Sequence, residues 1–195
     1  MAKFEIEVPD IIQNYLESLK DISIDGINCK GRNGYVFFGN HKIMKKRVAL
    51  KFYYYIDNMH PEVETLSSLR HKNIINVLDA RSIGDGWAFF MTPEVKNGDL
   101  DDHIISRLGL KKSIKYTRDI LDGLTILHNQ PYRMVHRDLK PSNILVDSSE
   151  NALIGDFGSI KKIEEDQLYT NASRHTILYK PLESFNNQYF FPSDI

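Results

Sequence analysis

The chain has 195 residues, 42% of them hydrophobic, and 25 Lys and Arg against 26 Asp and Glu for a formal net charge of −1. That length and apolar content allow one or two units with real cores, and the even charge balance carries no electrostatic footprint for nucleic acid or an anionic membrane surface. The single cysteine, Cys29, has no partner for an internal disulfide, which suits a reducing compartment. Glu5, Glu7 and Asp10 interrupt the first apolar residues, unlike a secretory signal, and no apolar run approaches the ~20 residues of a membrane span. A cytoplasmic location is the expectation.

In chain order, Ile11, Ile12, Tyr15, Leu16 and Leu19 recur at helical spacing behind Pro9-Asp10, which predicts a short packing helix with Asp10 as N-cap. Cys29-Lys30-Gly31-Arg32-Asn33-Gly34-Tyr35-Val36 holds two glycines that allow a backbone to close over phosphates, between strands expected near 24–29 and 34–39. Val48-Ala49-Leu50-Lys51 reads as an apolar strand ending on a lysine. In the helix expected from Pro61, Leu66 and Leu69 share a face with Glu62, while Glu64 faces about 200° away, so Glu62 is the inward carboxylate. Asn76 to Ile83 and Trp87 to Met91 form a hairpin around Gly84-Asp85-Gly86. Asp99 is expected to cap a short helix through Leu108. Ser113 is expected to cap a longer one, with Thr117, Ile120, Leu121, Leu124 and Leu127 as its apolar stripe and His128 packed or capping near its end. Ile144-Leu145-Val146 and Ala152-Leu153-Ile154 read as two short strands around the polar turn Asp147-Ser148-Ser149-Glu150-Asn151. That hairpin carries Asn143 and Asp156 to one end, where an amide oxygen and a carboxylate suit hard magnesium.

The segment just before this hairpin is the most specific in the chain. His136-Arg137-Asp138-Leu139-Lys140-Pro141-Ser142-Asn143 matches the catalytic loop H-R-D-L-x-x-x-N at every specified position, and Asp156-Phe157-Gly158 matches D-F-G. The chain therefore resembles the eukaryotic-type protein kinases, and Lys140-Pro141-Ser142 resembles their serine/threonine branch. The resemblance implies an α+β, bilobal protein-kinase-like fold. An antiparallel β-sheet N-lobe, with an N-terminal extension over about 1–22, would occupy residues 1–95 and bind ATP. An incomplete, mostly helical C-lobe would occupy 96–195.

The same resemblance implies the roles. Asp138 accepts the substrate hydroxyl proton, Lys140 reaches the migrating phosphate, and Lys51 holds the α- and β-phosphates while pairing with Glu62. Asn143 and Asp156 hold Mg2+. Gly31 and Gly34 match the second and third glycines of the Gly-rich loop, with Cys29 at the first and Val36 one residue early. Val36, Ala49, Thr92 (in the gatekeeper place), the hinge residues Glu94 and Val95, and Leu145 surround the nucleotide. The stretch after Gly158 resembles an activation segment, with Tyr169, Thr170 and Ser173 as candidate phosphosites, Thr176 facing the catalytic loop, and Arg137 to recognise a phosphate. Pro181-Leu182-Glu183 departs from A-P-E at its first two residues, and Asp194 matches the aspartate that holds the catalytic-loop backbone. The expected activity is ATP-dependent phosphorylation of protein serine or threonine. Because the resemblance covers about the first two-thirds of a kinase domain, two alternatives stand beside it: a truncated module that binds a partner kinase, and an inactive fragment of a larger one.

Overall fold

The computed structural model describes residues 8–28, 34–54, 66–129, 131–163, 170–171, 179, 181–186 and 188–195. The chain divides into two units, Met1–Leu69 with Asn76–Glu94, and Arg70–Ile75 with Val95–Ile195.

The first unit is a five-stranded antiparallel sheet with one helix against it. Helix α1 (Asp10–Ser18) starts behind Pro9, whose φ of −53° and ψ of 139° make it the N-cap. Asp10 is thus the first helical residue and makes no side-chain cap, contrary to the sequence expectation; its carboxylate still lies at the positive end of the helix dipole. Gln13 Nε2 donates to the Val8 carbonyl at 2.6 Å and ties the entry to the first turn. Strands β1 (Ile22–Asn28), β2 (Tyr35–His41), β3 (Lys46–Tyr54), β4 (Asp79–Gly84) and β5 (Trp87–Pro93) take the order β1-β2-β3-β5-β4. β-branched and aromatic residues fill β2, β3 and β5, as a half-buried pleated surface demands.

Register decides what each face carries. Tyr35, Phe52 and Phe89 lie opposite one another, as do Phe37, Leu50 and Met91. Phe37, Leu50, Phe52, Phe89 and Met91 form a core with Val8, Ile12 and Val48, against which Tyr35 packs, and in it Phe52 stands 5.6 Å from Phe37 edge-on and 5.7 Å from Phe89 stacked. Such pairs add about 0.5–1.5 kcal/mol beyond area burial. The intervening residues therefore point to the other face. Gly34 enters β2 at φ 137°, and a Cβ there would stand 1.9 Å from the Phe52 carbonyl, so only glycine fits.

In the second unit, α2 (Leu100–Ile105) is capped by Asp99, whose carboxylate accepts from Asp102 N, as expected. Helix α3 (Leu110–His128) begins earlier than its polar signal suggests. Gly109 is the N-cap, and Ser113 sits inside the helix with its hydroxyl donating to the Gly109 carbonyl. Of the expected stripe, Leu124 and Leu127 are buried, Ile120 is half-buried, and Thr117 and Leu121 are exposed. Strands β7 (Ile144–Val146) and β8 (Ala152–Ile154) pair antiparallel as expected. Gly123 lets α3 approach them, since a Cβ there would meet Ile154 Cδ1 and the Asn73 carbonyl, each at 2.8 Å. Asp119 accepts from Ala152 N at 3.1 Å and from Lys115 Nζ at 2.7 Å, joining helix and hairpin. Burial would raise its pKa, but the Lys115 and Ala152 hydrogen bonds outweigh that and hold it below the ordinary carboxylate value. Strand β6 (Met134–Val135) pairs with β9 (Lys161–Lys162), and β10 (Thr170–Asn171) with β11 (Gln188–Tyr189).

Candidate active site

The second unit assembles the polar motif between β6 and β7. His136 is fully buried; its Nε2 donates to the Gly155 carbonyl at 2.7 Å, and its ring meets Phe157 edge-on at 6.0 Å. Asn143 N–H closes a 3-10 turn over Pro141–Asn143 by donating to the Lys140 carbonyl. Its amide Nδ2 donates twice to Asp138, to the backbone carbonyl at 2.7 Å and to Oδ2 at 3.0 Å. Lys140 Nζ reaches the same Oδ2 at 2.8 Å. Asp138 is 8% exposed, and its second oxygen, Oδ1, takes no hydrogen bond among the described residues. Asp138, Lys140 and Asn143 thus form one cluster, with the carboxylate held on one side and open on the other.

Asp156 is coupled to this cluster through the backbone. Gly155 N donates to the Asn143 carbonyl at 2.9 Å, directly before Asp156. Asp156 itself is left-handed, at φ 56° and ψ 69°, and accepts from Gly158 N at the start of a 3-10 turn. Arg137 is also left-handed, at φ 67°. Non-glycine residues hold this region at a cost of roughly 1–3 kcal/mol each and only where surrounding contacts enforce it. For Arg137 the enforcing contact is Asp194. Its Oδ1 accepts from Arg137 N at 2.8 Å, and its Oδ2 accepts from His136 N at 2.7 Å and lies 2.9 Å from His128 Nε2. Asp194 is 4% exposed, so this anchor is dry. Arg137 Nε donates to the Ser159 carbonyl at 2.7 Å.

The first unit gathers its candidates by register. Val36 lies opposite Lys51, and Ala49 opposite both Phe38 and Thr92. Val36, Ala49, Lys51 and Thr92 therefore share one face of the sheet, the face turned from the α1 core. Glu94 follows β5; its N–H donates to the Arg47 carbonyl at 3.1 Å, and its carboxylate binds the Arg47 guanidinium, which also binds Asp25 at the β1 bulge. These contacts raise the Arg47 pKa, the Glu94 hydrogen bond most and the Asp25 bond next. Sequence reading missed this network, because its members are far apart in the chain and no local spacing links them. Leu145 lies in β7 of the second unit, and Val95 opens that unit's longer segment. Gly31, Glu62, Tyr169, Ser173 and Thr176 lie outside the described residues. Glu183 has its pKa lowered, first by the hydrogen bond from Ser193 Oγ.

Among the described residues no cluster of three or more His, Cys, Asp and Glu could hold a metal by itself. Asn143 and Asp156 instead suit an ion that takes most of its oxygens from phosphates and water, as Mg2+ does. With Nδ2 committed to Asp138, Asn143 presents Oδ1, which receives no hydrogen bond among the described residues.

The family model for the protein kinase domain matches residues 29–195. The chain belongs to the protein kinase family. This kinase chain is 35% identical over 113 residues to Serine/threonine-protein kinase VIK of Arabidopsis thaliana, covering 56% of the chain and 26% of that protein. It is 35% identical over 145 residues to Mitogen-activated protein kinase kinase kinase 6 of Homo sapiens, covering 69% and 11%. Against Lectin-domain containing receptor kinase VI.3 of Arabidopsis thaliana, identity is 30% over 178 residues, covering 80% and 25%. The chain thus matches only about a tenth to a quarter of the length of these curated relatives. Its α+β architecture, with a five-stranded antiparallel sheet in one unit and helices in the other, is that of a protein kinase. No helix of the described residues is long and apolar enough to cross a membrane.

Proposed function

We propose that this kinase domain transfers the γ-phosphoryl group of ATP to a serine or threonine hydroxyl of a protein, in the cytoplasm. The observation that carries the reading is the one-sided clamp on Asp138. Lys140 Nζ and Asn143 Nδ2 both hold Oδ2, which leaves Oδ1 as the acceptor for the hydroxyl proton of the substrate. Orientation of this kind does most of the protein's work in phosphoryl transfer, because little covalent chemistry falls to the side chains. Mg-ATP, when bound, supplies the phosphoryl group and the cationic charge that neutralises it. Asn143 Oδ1 and the Asp156 carboxylate are the metal ligands in this reading, and Lys140 stays on Asp138 until a phosphate competes for it. Lys51 takes the α- and β-phosphates and pairs with Glu62. Gly31 and Gly34 cover the phosphates, while Val36, Ala49, Thr92, Leu145 and the backbone of Glu94 and Val95 hold the base. Since Glu94 N–H is engaged by Arg47, its carbonyl is the group left for the base.

Two substitutions separate binding from chemistry. Lys51→Met is expected to weaken magnesium-dependent ATP binding by about 1–3 kcal/mol, the loss of a charge-assisted contact. Asp138→Asn is expected to bind ATP as the parent does and to lose transfer onto a serine/threonine peptide library, because a carboxamide cannot take the proton. Calorimetry and γ-phosphate transfer read the two. Near-parental transfer by Asp138→Asn would overturn the assignment of the base.

A further inference from the structure

The Arg47 network lies on the nucleotide face of the first unit, and the roles assigned so far do not use it. Arg47 alternates onto the same face of β3 as Ala49 and Lys51. Register sets Arg47 opposite Asn40 on β2, in the row next to Phe38, Ala49 and Thr92. Glu94 extends the β3–β5 ladder past Pro93 by donating its N–H to the Arg47 carbonyl at 3.1 Å. The Glu94 carboxylate then accepts from Arg47 Nε, so one residue grips Glu94 by backbone and by side chain. On its other side Arg47 Nη1 donates to Asp25, the residue left over in the β1 bulge between Ile24 and Gly26. A bulge re-aims a side chain, and this one also brings Asp25 Oδ2 within 3.0 Å of Asn40 Nδ2.

Contacts at Nε and Nη1 together fix the plane of the guanidinium, which a single contact would leave free to turn. The Glu94 side chain is 19% exposed and the Asp25 side chain 46%, so the Glu94 contact is the less screened and Asp25 acts as the brace. Ion pairs this near to water add little to stability; their consequence is orientation. The peptide group joining Glu94 to Val95 leaves from a Cα whose N–H and side chain are both held by Arg47. We propose that Arg47, braced by Asp25, is a positioning residue for this peptide group, and through it for the choice of a 6-amino over a 6-oxo purine. The inference rests on the reading above, in which the backbone of Glu94 and Val95 holds the base. A 6-aminopurine offers a donor at its C6 substituent, where a 6-oxopurine offers an acceptor. A backbone group aimed at that edge meets its complement in one base and its like in the other, and the preference is as sharp as the aim is firm.

The test needs no catalysis. ATP and inosine triphosphate share ribose and triphosphate and differ only at that edge of the base, so their affinity ratio cancels every phosphate and magnesium contact. Calorimetry with magnesium reads both on the whole chain. The parent is expected to prefer ATP by about tenfold, the worth of one hydrogen bond. Arg47→Gln should lose most of this preference by weakening ATP while inosine triphosphate stays within about twofold. Asp25→Asn, which keeps the side-chain shape, should lose less. Arg47→Lys should recover part, because an ammonium reaches one carboxylate but cannot fork between two. Thermal unfolding read by Trp87, in the same unit, should stay parental, while exchange of the Glu94 amide should quicken in Arg47→Gln. A parent that binds the two nucleotides alike would remove the base reading and the inference with it. A discriminating parent beside an equally discriminating Arg47→Gln would leave that reading standing and overturn the role of Arg47. An equal loss for both nucleotides, or an unchanged Glu94 amide, would overturn it as well.

Discussion

Replacing Asp194 by alanine is expected to destabilise the second unit by about 3–5 kcal/mol, through the loss of one carboxylate that serves three donors. His136 N, Arg137 N and His128 Nε2 all lie within 2.9 Å of its two oxygens. A hydrogen bond to a charged group contributes roughly 1.5–3 kcal/mol, and a buried donor left unsatisfied costs about 1–3 kcal/mol. The effects are not additive within one network, and removing a buried carboxylate also removes its desolvation cost, so the middle of the range applies. Arg137 adds a second consequence, because its left-handed backbone loses the contact that enforces it. Asp194→Asn keeps one acceptor but sets an NH₂ group against a backbone N–H, and about half the loss is expected. The assay must report the correct unit. The single tryptophan, Trp87, lies in β5 of the other unit, so hydrogen exchange at the His136 and Arg137 amides, with urea unfolding followed by circular dichroism, is the measurement. A loss of about 3 kcal/mol corresponds to a drop of roughly a hundredfold in protection. Protection within about threefold of the parent, with stability changed by less than about 0.5 kcal/mol, would refute the anchoring role.

Gly34→Ala should destabilise the first unit by about 2 kcal/mol or more, since a Cβ would collide with the Phe52 carbonyl at a φ of 137°; thermal unfolding read by Trp87 fluorescence checks it. Asp119→Ala should cost about 1–3 kcal/mol at neutral pH by stranding Ala152 N, while Lys115 Nζ keeps the Glu150 carbonyl and Asn151 Oδ1 as acceptors. The Asp119 pKa is depressed in the folded state, so its stabilising share is fully present above the ordinary carboxylate range. That share is lost as pH falls through the depressed value. The stability gap between parent and Asp119→Asn should accordingly narrow below about pH 4.

Local chemistry made much of this kinase domain readable from sequence. The pairing of Ile144–Val146 with Ala152–Ile154 follows from two short apolar runs around a polar turn. Asp99 caps α2 as its position before an apolar run suggests. His136 to Asn143 and Asp156 to Gly158 announce the family because its motifs place fixed residue types at short, fixed spacing, and the family match confirms the membership they imply. Elements set by competition between neighbours were less legible. Pro9 displaces Asp10 from the cap of α1, and α3 starts at Leu110 although Ser113 is the better capping residue in isolation. In both cases a backbone already held by adjoining structure outweighs a preference of roughly 1 kcal/mol. Other features exist only in three dimensions. Sheet register, not spacing, brings Val36, Ala49, Lys51 and Thr92 to one face. The left-handed backbone at Arg137 depends on a carboxylate 57 residues away at Asp194, and the Arg47 network joins Asp25 to Glu94 across separate strands. Sequence pattern encodes which side chains want water, whereas a contact between distant residues depends on where the whole chain sets its elements, and that is decided by packing.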